Sequence, residues 1–327
     1  MTTQGDASTR IEASIVANTD EPRLEQGLVD ADGREVTLAD SEAFALRSEA
    51  ADRDYWIEVA LPAGPVPVSG YAVLYVLDGN ARFPLLREAR ETLTRGGPQG
   101  DGLPLLVVGI GYPGVARFGV DERALDYTPP TDRRAGAEAR PGNGGGVTTG
   151  VSERAEGGGE AFRRFIEHTL KPALARRYPI DESRQALLGH SYGALFTLYA
   201  LQECPGCFRD YIAISPSLWW NGGQVPARFD DLQHDEAWRE ALEGRRLLLG
   251  VGGDEQTPRA AEEGTPRGDL RRQRAMVDNT LALATQLEQM GSGLSTSLAV
   301  FAGEDHGSVM WPAARRALAF VSDTQGQ

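Results

Sequence analysis

One stretch constrains the fold of this chain more than any other: a serine between two glycines, with an apolar strand before it and an apolar helix after it. The stretch spans residues 186–196 and contains Gly189-His190-Ser191-Tyr192-Gly193. A strand that reverses abruptly into a helix needs a strained backbone at the serine and little side-chain bulk around it. The turn exposes the Ser191 hydroxyl, and the positive N-terminus of the helix points at the same place. This pattern predicts a nucleophile elbow at Ser191.

The rest of the chain alternates between apolar runs that fit strands and longer runs with helical spacing. Strands are predicted before Ser191 and at residues 54–61, 71–77, 103–110, 211–214, 247–251 and 297–301. Helices are predicted at residues 84–94, 160–177 (kinked at Pro172), 192–203, 235–242, 269–290 and 308–321. The alternation predicts an α/β fold with a mostly parallel central sheet of about eight strands and helices on both faces. Ligands of such sheets bind at the carboxyl ends of the strands, so we expect the site in the loops there.

The length of 327 residues and the hydrophobic content of 41% fit one α/β domain with a large core. Residues 1–40 are polar with little periodicity, and they are predicted to form an N-terminal arm or edge. Residues 41–325 are predicted to form a single domain. Within it, residues 112–159 lack regular periodicity and are predicted to be a long, cap-like insertion, ordered near 123–130 and mobile near 141–159.

The formal net charge of −14 argues against binding to nucleic acids or to anionic membranes. Residues 1–25 contain no apolar segment typical of a signal peptide, and no run reaches the roughly 18 apolar residues that a membrane span needs. We therefore expect a cytoplasmic protein. A periplasmic protein whose signal peptide has been removed would look the same, and the sequence indicates no oligomeric state.

No cofactor or metal is predicted. Residues 109–114 match the dinucleotide pattern G-x-G-x-x-G, but they follow a later strand, contain Pro113 and lead into no amphipathic helix. The glycines of residues 140–159 lack the Lys-Ser/Thr of a phosphate-binding loop. Cys204 and Cys207 close the helix after Ser191 rather than opening one, and two further zinc ligands are missing nearby. Their redox state stays open.

A serine hydroxyl needs a base within hydrogen-bond reach to become a nucleophile. The chain contains four histidines. His306 follows the last predicted strand, where the chain order Ser, acid, His of an elbow-type hydrolase places the base. His168 lies in the kinked helix, His190 is expected to point away from its neighbour Ser191, and His234 lies in a polar linker. His306 is therefore the predicted base.

The acid that orients the base should follow the strand that ends near Val251. Gly252-Gly253-Asp254-Glu255 supplies two carboxylates at this point. Glu255 is preferred because it lies in the register G-x-x-[DE], and Asp254 is the second candidate. Asp305 is adjacent to His306 in the chain and would have difficulty reaching its Nδ1.

The reaction also needs two backbone N–H groups directed at the developing oxyanion. One is predicted to come from Tyr192, the residue after the nucleophile. The other is predicted to come from Asn80, because Asp78-Gly79-Asn80 ends a buried strand. Since the donors are backbone groups, the side chain of Asn80 is expected to be dispensable.

With these segments in place, the chain resembles the esterase branch of the α/β-hydrolases, which includes the enterobactin, salmochelin and bacillibactin trilactone hydrolases. The resemblance runs from about residue 40 to the C-terminus. Five segments carry it: Tyr75–Ala81 (YVLDGNA), Asp126–Pro129 (DYTP), Gly189–Gly193 (GHSYG), Ser215–Trp220 (SPSLWW) and Glu304–Val309 (EDHGSV).

The resemblance implies an α/β-hydrolase fold with Ser191 and His306 as the catalytic pair. Some siderophore esterases of this kind work with Ser–His alone, so the role of Glu255 stays open. The resemblance also implies that the substrate pocket is bordered by Trp219, Trp220, Asp126 and Tyr127. Ferric catecholate siderophores are strongly anionic, and the candidate cations are four arginines of the insertion, Arg117, Arg123, Arg133 and Arg134.

Together these observations predict a serine hydrolase that cleaves small-molecule carboxylic esters through an acyl-enzyme. Trilactone siderophores are the candidate substrates. An acyltransferase, a thioesterase or a peptidase would use the same site. A non-catalytic binding module that kept the fold is the alternative outside enzymes.

Overall fold

Eight strands in one sheet form the centre of the protein. The computed structural model describes residues 38–94, 104–131, 154–291 and 293–323. The strands are β1 (Ser41–Ser48), β2 (Arg53–Ala60), β3 (Tyr71–Leu77), β4 (Leu105–Gly111), β5 (Ile180–His190), β6 (Asp210–Ile214), β7 (Arg246–Gly252) and β8 (Ser295–Phe301). Their order in the sheet is β1-β2-β4-β3-β5-β6-β7-β8. Strands β3 to β8 pair in parallel, whereas β2 pairs antiparallel with both β1 and β4. The predicted mostly parallel sheet of eight strands is confirmed.

Helices cover both faces of this sheet. They are α1 (Gly79–Thr94), α2 (Val120–Asp126), α3 (Gly159–Phe165), α4 (Lys171–Arg177), α5 (Tyr192–Glu203), α6 (Gln224–Leu232), α7 (Glu236–Ala241), α8 (Pro266–Arg274), α9 (Met276–Gln289) and α10 (Met310–Ser322). Strand β3 is buried along its whole length. Because its side chains alternate between faces, Val73 and Tyr75 pack with α3 and α5, while Leu74 and Val76 pack with α1 and α10. Each such side chain contributes about 1.5–3 kcal/mol relative to exposure.

Three helical segments differ most from the predicted ones. Helix α1 begins at Gly79 rather than Pro84, so it starts directly from the end of β3. The predicted helix 269–290 is two helices, because Ala275 adopts a left-handed conformation (φ 44°) between α8 and α9. Upstream of Pro172, residues Ile166–Leu170 form a π-helical turn between α3 and α4. Proline has no N–H to donate to the preceding turn, and a widened turn is one way in which a helix accommodates this.

Two further regions complete the comparison with the sequence. Strand β1, which the sequence analysis did not identify, pairs along its full length with β2. Residues 1–37 and 132–153 lie outside the described residues, and with them lie most of the predicted arm, Arg133, Arg134 and much of the predicted mobile segment. The described part of the 112–159 insertion contains α2 and the first residue of α3.

Candidate active site

Ser191 occupies a sharp turn between β5 and α5. Its φ of 61° and ψ of −117° lie in a region that non-glycine residues rarely adopt. Gly189 is required by space, because a Cβ added there would lie 2.0 Å from the carbonyl oxygen of Gly193. The N–H of Ser191 donates to the carbonyl of Ile214 on β6 (3.0 Å). The strand, turn and helix predicted around Ser191 are therefore all present.

His306 and Glu255 lie in a line of hydrogen bonds with Ser191. The Nε2 atom of His306 is 3.0 Å from Ser191 Oγ, and its Nδ1 atom is 2.7 Å from Glu255 Oε2. The Glu255 side chain is completely buried, whereas that of His306 is 44% exposed. Three loops that are distant in sequence therefore meet at the carboxyl ends of β5, β7 and β8. Asp254, the second candidate acid, is exposed, and its backbone N–H donates to the carbonyl of Glu304 (3.0 Å).

The carboxylate of Glu255 is held from two sides. Its Oε1 atom accepts hydrogen bonds from the Ser215 hydroxyl and from the backbone N–H of Gly252 (2.7 Å). These bonds leave Oε2 for His306. Gly252 is the first residue of the G-x-x-E register, and a Cβ there would lie 2.4 Å from the carbonyl oxygen of Glu304. The register thus has a physical basis: its glycine gives the carboxylate an amide donor and lets the histidine loop approach closely.

Tyr192 and Asn80, the two predicted oxyanion donors, lie in the first turns of α5 and α1. The N–H groups of a first helical turn have no acceptor within their own helix, and they carry the positive end of the helix dipole. The side chain of Asn80 is fully engaged. It accepts from the N–H of Tyr112 (2.8 Å) and donates to the carbonyls of Tyr112 (3.1 Å) and Val115 (2.9 Å). Contrary to expectation, this side chain ties the loop after β4 to the start of α1.

Arg123 and Trp219, two of the residues predicted to contact substrate, lie beside Tyr192, the residue after Ser191. The guanidinium of Arg123 lies 5.7 Å from the centroid of the Tyr192 ring, and it makes a bidentate salt bridge with Asp78 (2.9 and 3.0 Å). The half-buried Trp219 has its ring centroid 6.1 Å from that of Tyr192. The guanidinium of Arg274 stacks over Trp219 at 4.5 Å. Two arginines therefore flank a pair of aromatic rings, one of which belongs to the residue after Ser191.

The other three predicted substrate contacts do not fit that role, because their side chains are buried. Asp126 accepts hydrogen bonds from the hydroxyls of Tyr55 (2.9 Å) and Tyr112 (3.2 Å), and burial raises its pKa to about 6. The hydroxyl of Tyr127 accepts from the backbone N–H of Asp78 (2.9 Å). The exposed fractions of Asp126, Tyr127 and Trp220 are 1%, 0% and 4%. They pack behind the site and support it.

Several polar residues of the site were not predicted from the sequence. Ser215 fixes Glu255, and the Oγ of Ser217 lies 3.4 Å from that of Ser191. Both belong to the SPSLWW segment, so the resemblance contained the signal without indicating their contacts. His190 does not simply point away from the site, since its ring contacts the loop of His306.

Within the described ranges, no three His, Cys, Asp or Glu side chains are clustered so that they could hold a metal ion. Cys204 and Cys207 form a disulfide at the end of α5 opposite Ser191. Of the helices in the described residues, none is both long and apolar enough to span a bilayer.

A half-buried serine on a strand-to-helix turn, with a histidine and a buried carboxylate from later loops, defines the α/β-hydrolase class. Comparison with known proteins gives the family. The family described as "Putative esterase" matches residues 48–278, and this chain belongs to it. The chain is a carboxylic ester hydrolase of the serine-esterase type, as the sequence predicted.

Two relatives of this chain are named as siderophore esterases. The chain is 32% identical over 291 residues to the ferri-bacillibactin esterase BesA of Bacillus subtilis, covering 89% of this chain and 92% of BesA. It is 31% identical over 292 residues to the siderophore enterobactin esterase of Emericella nidulans, covering 83% and 90%. The crystal structure of the BES protein from Bacillus cereus superposes with a TM-score of 0.72 at 28% identity, over 90% of this chain and 100% of that one. The predicted resemblance and fold class are confirmed.

Proposed function

We propose that the esterase works through Ser191 as nucleophile, His306 as general base and acid, and Glu255 as the carboxylate that orients His306. The continuous line from Glu255 through His306 to Ser191, with distances of 2.7 and 3.0 Å, carries the proposal. Glu255 is buried and acceptor-only when ionised, so it holds the proton of His306 on Nδ1. The Nε2 atom is then free to accept the proton of the serine hydroxyl.

The reaction follows from this geometry. Ser191 Oγ attacks the ester carbonyl while its proton moves to His306 Nε2, which gives a tetrahedral intermediate with a negative oxygen. The backbone N–H groups of Tyr192 and Asn80 are the proposed donors to that oxygen. Collapse of the intermediate breaks the bond to the alcohol, which takes the proton from His306 and leaves an acyl-enzyme. A water molecule, deprotonated by His306, then releases the acid and restores Ser191.

We further propose that the natural substrate is an anionic ester of the trilactone siderophore class. The relatives named above act on ferri-bacillibactin and enterobactin, as their names state. The chain itself supports an anionic substrate by its charges. The guanidinium groups of Arg82, Arg117 and Arg123 lie 5.4, 5.3 and 5.9 Å from the centroid of the Phe118 ring. This concentration of positive charge beside the oxyanion loop contrasts with the net charge of −14.

The substrate proposal is tested by comparing two esters on the purified enzyme: a catecholate trilactone such as enterobactin, with and without iron, and the neutral p-nitrophenyl butyrate. Chromatography of the linear products and release of p-nitrophenol measure the two reactions. Hydrolysis of the neutral ester without cleavage of any trilactone would reject the siderophore class and leave the esterase mechanism standing.

The exposed Arg117 allows a sharper test. We expect Arg117→Glu to raise KM for the iron-loaded trilactone several-fold and to leave KM for p-nitrophenyl butyrate unchanged, because only the ferric catecholate carries negative charge. Arg176→Glu, an exposed arginine on α4, makes the same change in net charge at a distance and is the control. Equal effects of both variants would mean that net charge, rather than this cluster, matters.

The remaining predictions from the sequence stand as proposals. We propose that residues 41–325 act as one domain, that the enzyme does not bind nucleic acid, and that it is cytoplasmic.

A further inference from the structure

His190 is the residue immediately before the nucleophile, and it is buried with an exposed fraction of 6%. It ends strand β5, pairing with Ile214 of β6. Its ring lies against that of His306, with centroids 4.7 Å apart and planes inclined by 38°. A side chain on the nucleophile's own strand therefore contacts the residue that must accept the nucleophile's proton.

Two hydrogen bonds determine which ring nitrogen of His190 carries the proton. A guanidinium has donors only, so the Nη2 of Arg82, 3.3 Å from His190 Nδ1, makes that nitrogen an acceptor. A carbonyl oxygen only accepts, so the His190 Nε2, 3.0 Å from the carbonyl oxygen of His306, must carry a hydrogen. Both contacts require the same form of the ring: neutral, with its proton on Nε2.

The surroundings of His190 also favour the neutral ring. Burial lowers its pKa well below the ordinary value, and the positive groups around it act in the same direction: Arg82 from α1, Arg123 from α2 and His306 when protonated. Asp78, at the end of β3, lies close enough to influence Arg82 and is paired with Arg123. The ring therefore stays neutral at physiological pH and keeps its single donor for His306.

We propose that His190 is a positioning residue, which holds the backbone of His306 so that its imidazole meets Ser191, and that Arg82 fixes the tautomer in which His190 can do this. The inference rests on the proposed role of His306 as the base. It adds a link between the nucleophile's strand and the histidine loop that is independent of Glu255.

The loop of His306 needs such a link. It is irregular between β8 and α10, and its local bonds gather at Asp305, whose carboxylate accepts from the N–H groups of Gly307 (2.8 Å) and Ser308 (2.9 Å). The bond from His190 reaches the backbone of the base itself. A displacement of about 1 Å between reacting groups can cost roughly 10²-fold in rate. Loss of the His190 ring would also deprive the His306 carbonyl of this donor and the Arg82 guanidinium of this acceptor.

The test compares His190→Leu with His190→Gln. Glutamine offers an N–H donor for the His306 carbonyl and an oxygen acceptor for Arg82, so it reproduces both hydrogen bonds, whereas leucine reproduces neither. We expect His190→Leu to lower kcat on p-nitrophenyl butyrate by about 10²-fold with little change in KM. His190→Gln should recover most of that loss. Thermal unfolding of both variants shows whether they are folded.

Equal impairment of two folded variants would mean that the imidazole's shape, not its hydrogen bonds, is needed, and it would overturn the proposal. Full activity of His190→Leu would also overturn it. Should His190→Leu fail to fold, the proposal is tested by ¹⁵N NMR of histidine-labelled wild-type enzyme, which reports the protonation form of each imidazole ring. Four histidines are few enough to assign, and we expect His190 to remain the neutral Nε2–H form from pH 6.5 to 8, because burial lowers its pKa well below the ordinary value. A proton on Nδ1, or titration in that range, contradicts the proposal.

These outcomes are distinct from failure of the proposed mechanism. If wild-type enzyme neither hydrolyses simple esters nor reacts with a fluorophosphonate at Ser191, the mechanism fails and the role of His190 fails with it. If the wild type reacts at Ser191 and the leucine variant is unimpaired, only the role of His190 is lost.

Discussion

The two halves of the site are built by different means. The nucleophile side consists of Ser191, Ser215, Glu255 and His306, which come from the ends of β5, β6, β7 and β8 and are joined by side-chain hydrogen bonds. The oxyanion side lies at the ends of β3 and β4. There Asp78 pairs with Arg123, and the Asn80 side chain holds the loop after β4.

The difference concerns what each half must supply. On the nucleophile side, the side chains contact one another directly, and these hydrogen bonds form the proposed catalytic group. The oxyanion side is proposed to supply backbone N–H groups, which only a substitution by proline would remove, so its side chains act by fixing the backbone. We therefore expect substitutions on the nucleophile side to lower kcat with little effect on stability. Those on the oxyanion side should lower both.

The largest expected effect is that of Ser191→Ala. Removal of the nucleophile should lower kcat by about 10⁵–10⁶-fold, measured on p-nitrophenyl butyrate, and should abolish labelling by a fluorophosphonate. The melting temperature should not fall, because the substitution leaves the turn intact. Ser183→Ala, an exposed serine on the same strand, is the control and should retain full activity. Substantial hydrolysis by Ser191→Ala would end the case for an acyl-enzyme on this residue.

Glu255→Gln should have the second largest effect, lowering kcat by about 10²–10⁴-fold, because an amide no longer holds the proton of His306 on Nδ1. Asp254→Asn is the matched control, since Asp254 is exposed beside it, and it should retain wild-type kcat. Near-normal activity of Glu255→Gln would mean that Ser191 and His306 act as a pair without an acid. Loss of activity in Asp254→Asn alone would reverse the assignment.

The nucleophile side was accessible from the sequence because its determinants are local. Gly189, two residues before Ser191, and Gly252, three residues before Glu255, are required because an added Cβ would lie 2.0 and 2.4 Å from a backbone carbonyl oxygen, so short patterns report them directly. Ser215 was not assigned a role, because its hydrogen bond to a carboxylate 40 positions later in the chain produces no pattern in the sequence.

The predicted substrate contacts were harder to assign, because burial separated residues that look alike in sequence. Trp219 and Trp220 are neighbours, yet one borders Tyr192 and the other enters the core. Asp126 was predicted to contact substrate, whereas its carboxylate accepts hydrogen bonds from two tyrosine hydroxyls inside the protein. The break at Ala275 was missed for a related reason: no glycine or proline marks it, and the Asn279 side chain donates to the carbonyl of Arg274 across it (3.0 Å).

Asp126, which accepts a hydrogen bond from the Tyr112 hydroxyl behind the oxyanion side, has a signature in the pH dependence of stability. Its folded pKa of about 6 exceeds the ordinary value of 3.8, because burial outweighs the nearby Arg53 and the hydrogen bonds from Tyr55 and Tyr112. Between about pH 4 and pH 6 the folded state therefore binds more protons than the unfolded state, and the contribution of Asp126 to stability falls as the pH rises. The loss approaches about 3 kcal/mol above pH 6.

The measurement is the free energy of unfolding by urea at pH 4.5 and pH 7 for the wild type and Asp126→Asn. Glu58 also has a raised pKa of about 6 from burial, so the wild type alone would mix the two contributions. The difference between wild type and variant isolates Asp126, and it should favour the wild type more at pH 4.5 than at pH 7. A difference that does not change with pH would show that Asp126 ionises normally.

The smallest effect expected is that of Asn80→Ala, and it tests most directly whether the oxyanion side acts through its backbone. The variant keeps the N–H of residue 80 but loses three hydrogen bonds to Tyr112 and Val115. We expect the free energy of unfolding to fall by about 1–2 kcal/mol and kcat by roughly tenfold, less than the 10²–10³-fold cost of removing an oxyanion donor outright. Asn80→Asp, which keeps the acceptor for Tyr112 N–H and loses both donors, should be no more active than wild type and no more stable. If Asn80→Ala lost stability without losing kcat, the hydrogen bonds of the Asn80 side chain would stabilise the fold alone. The backbone N–H donors would then keep their positions without these bonds.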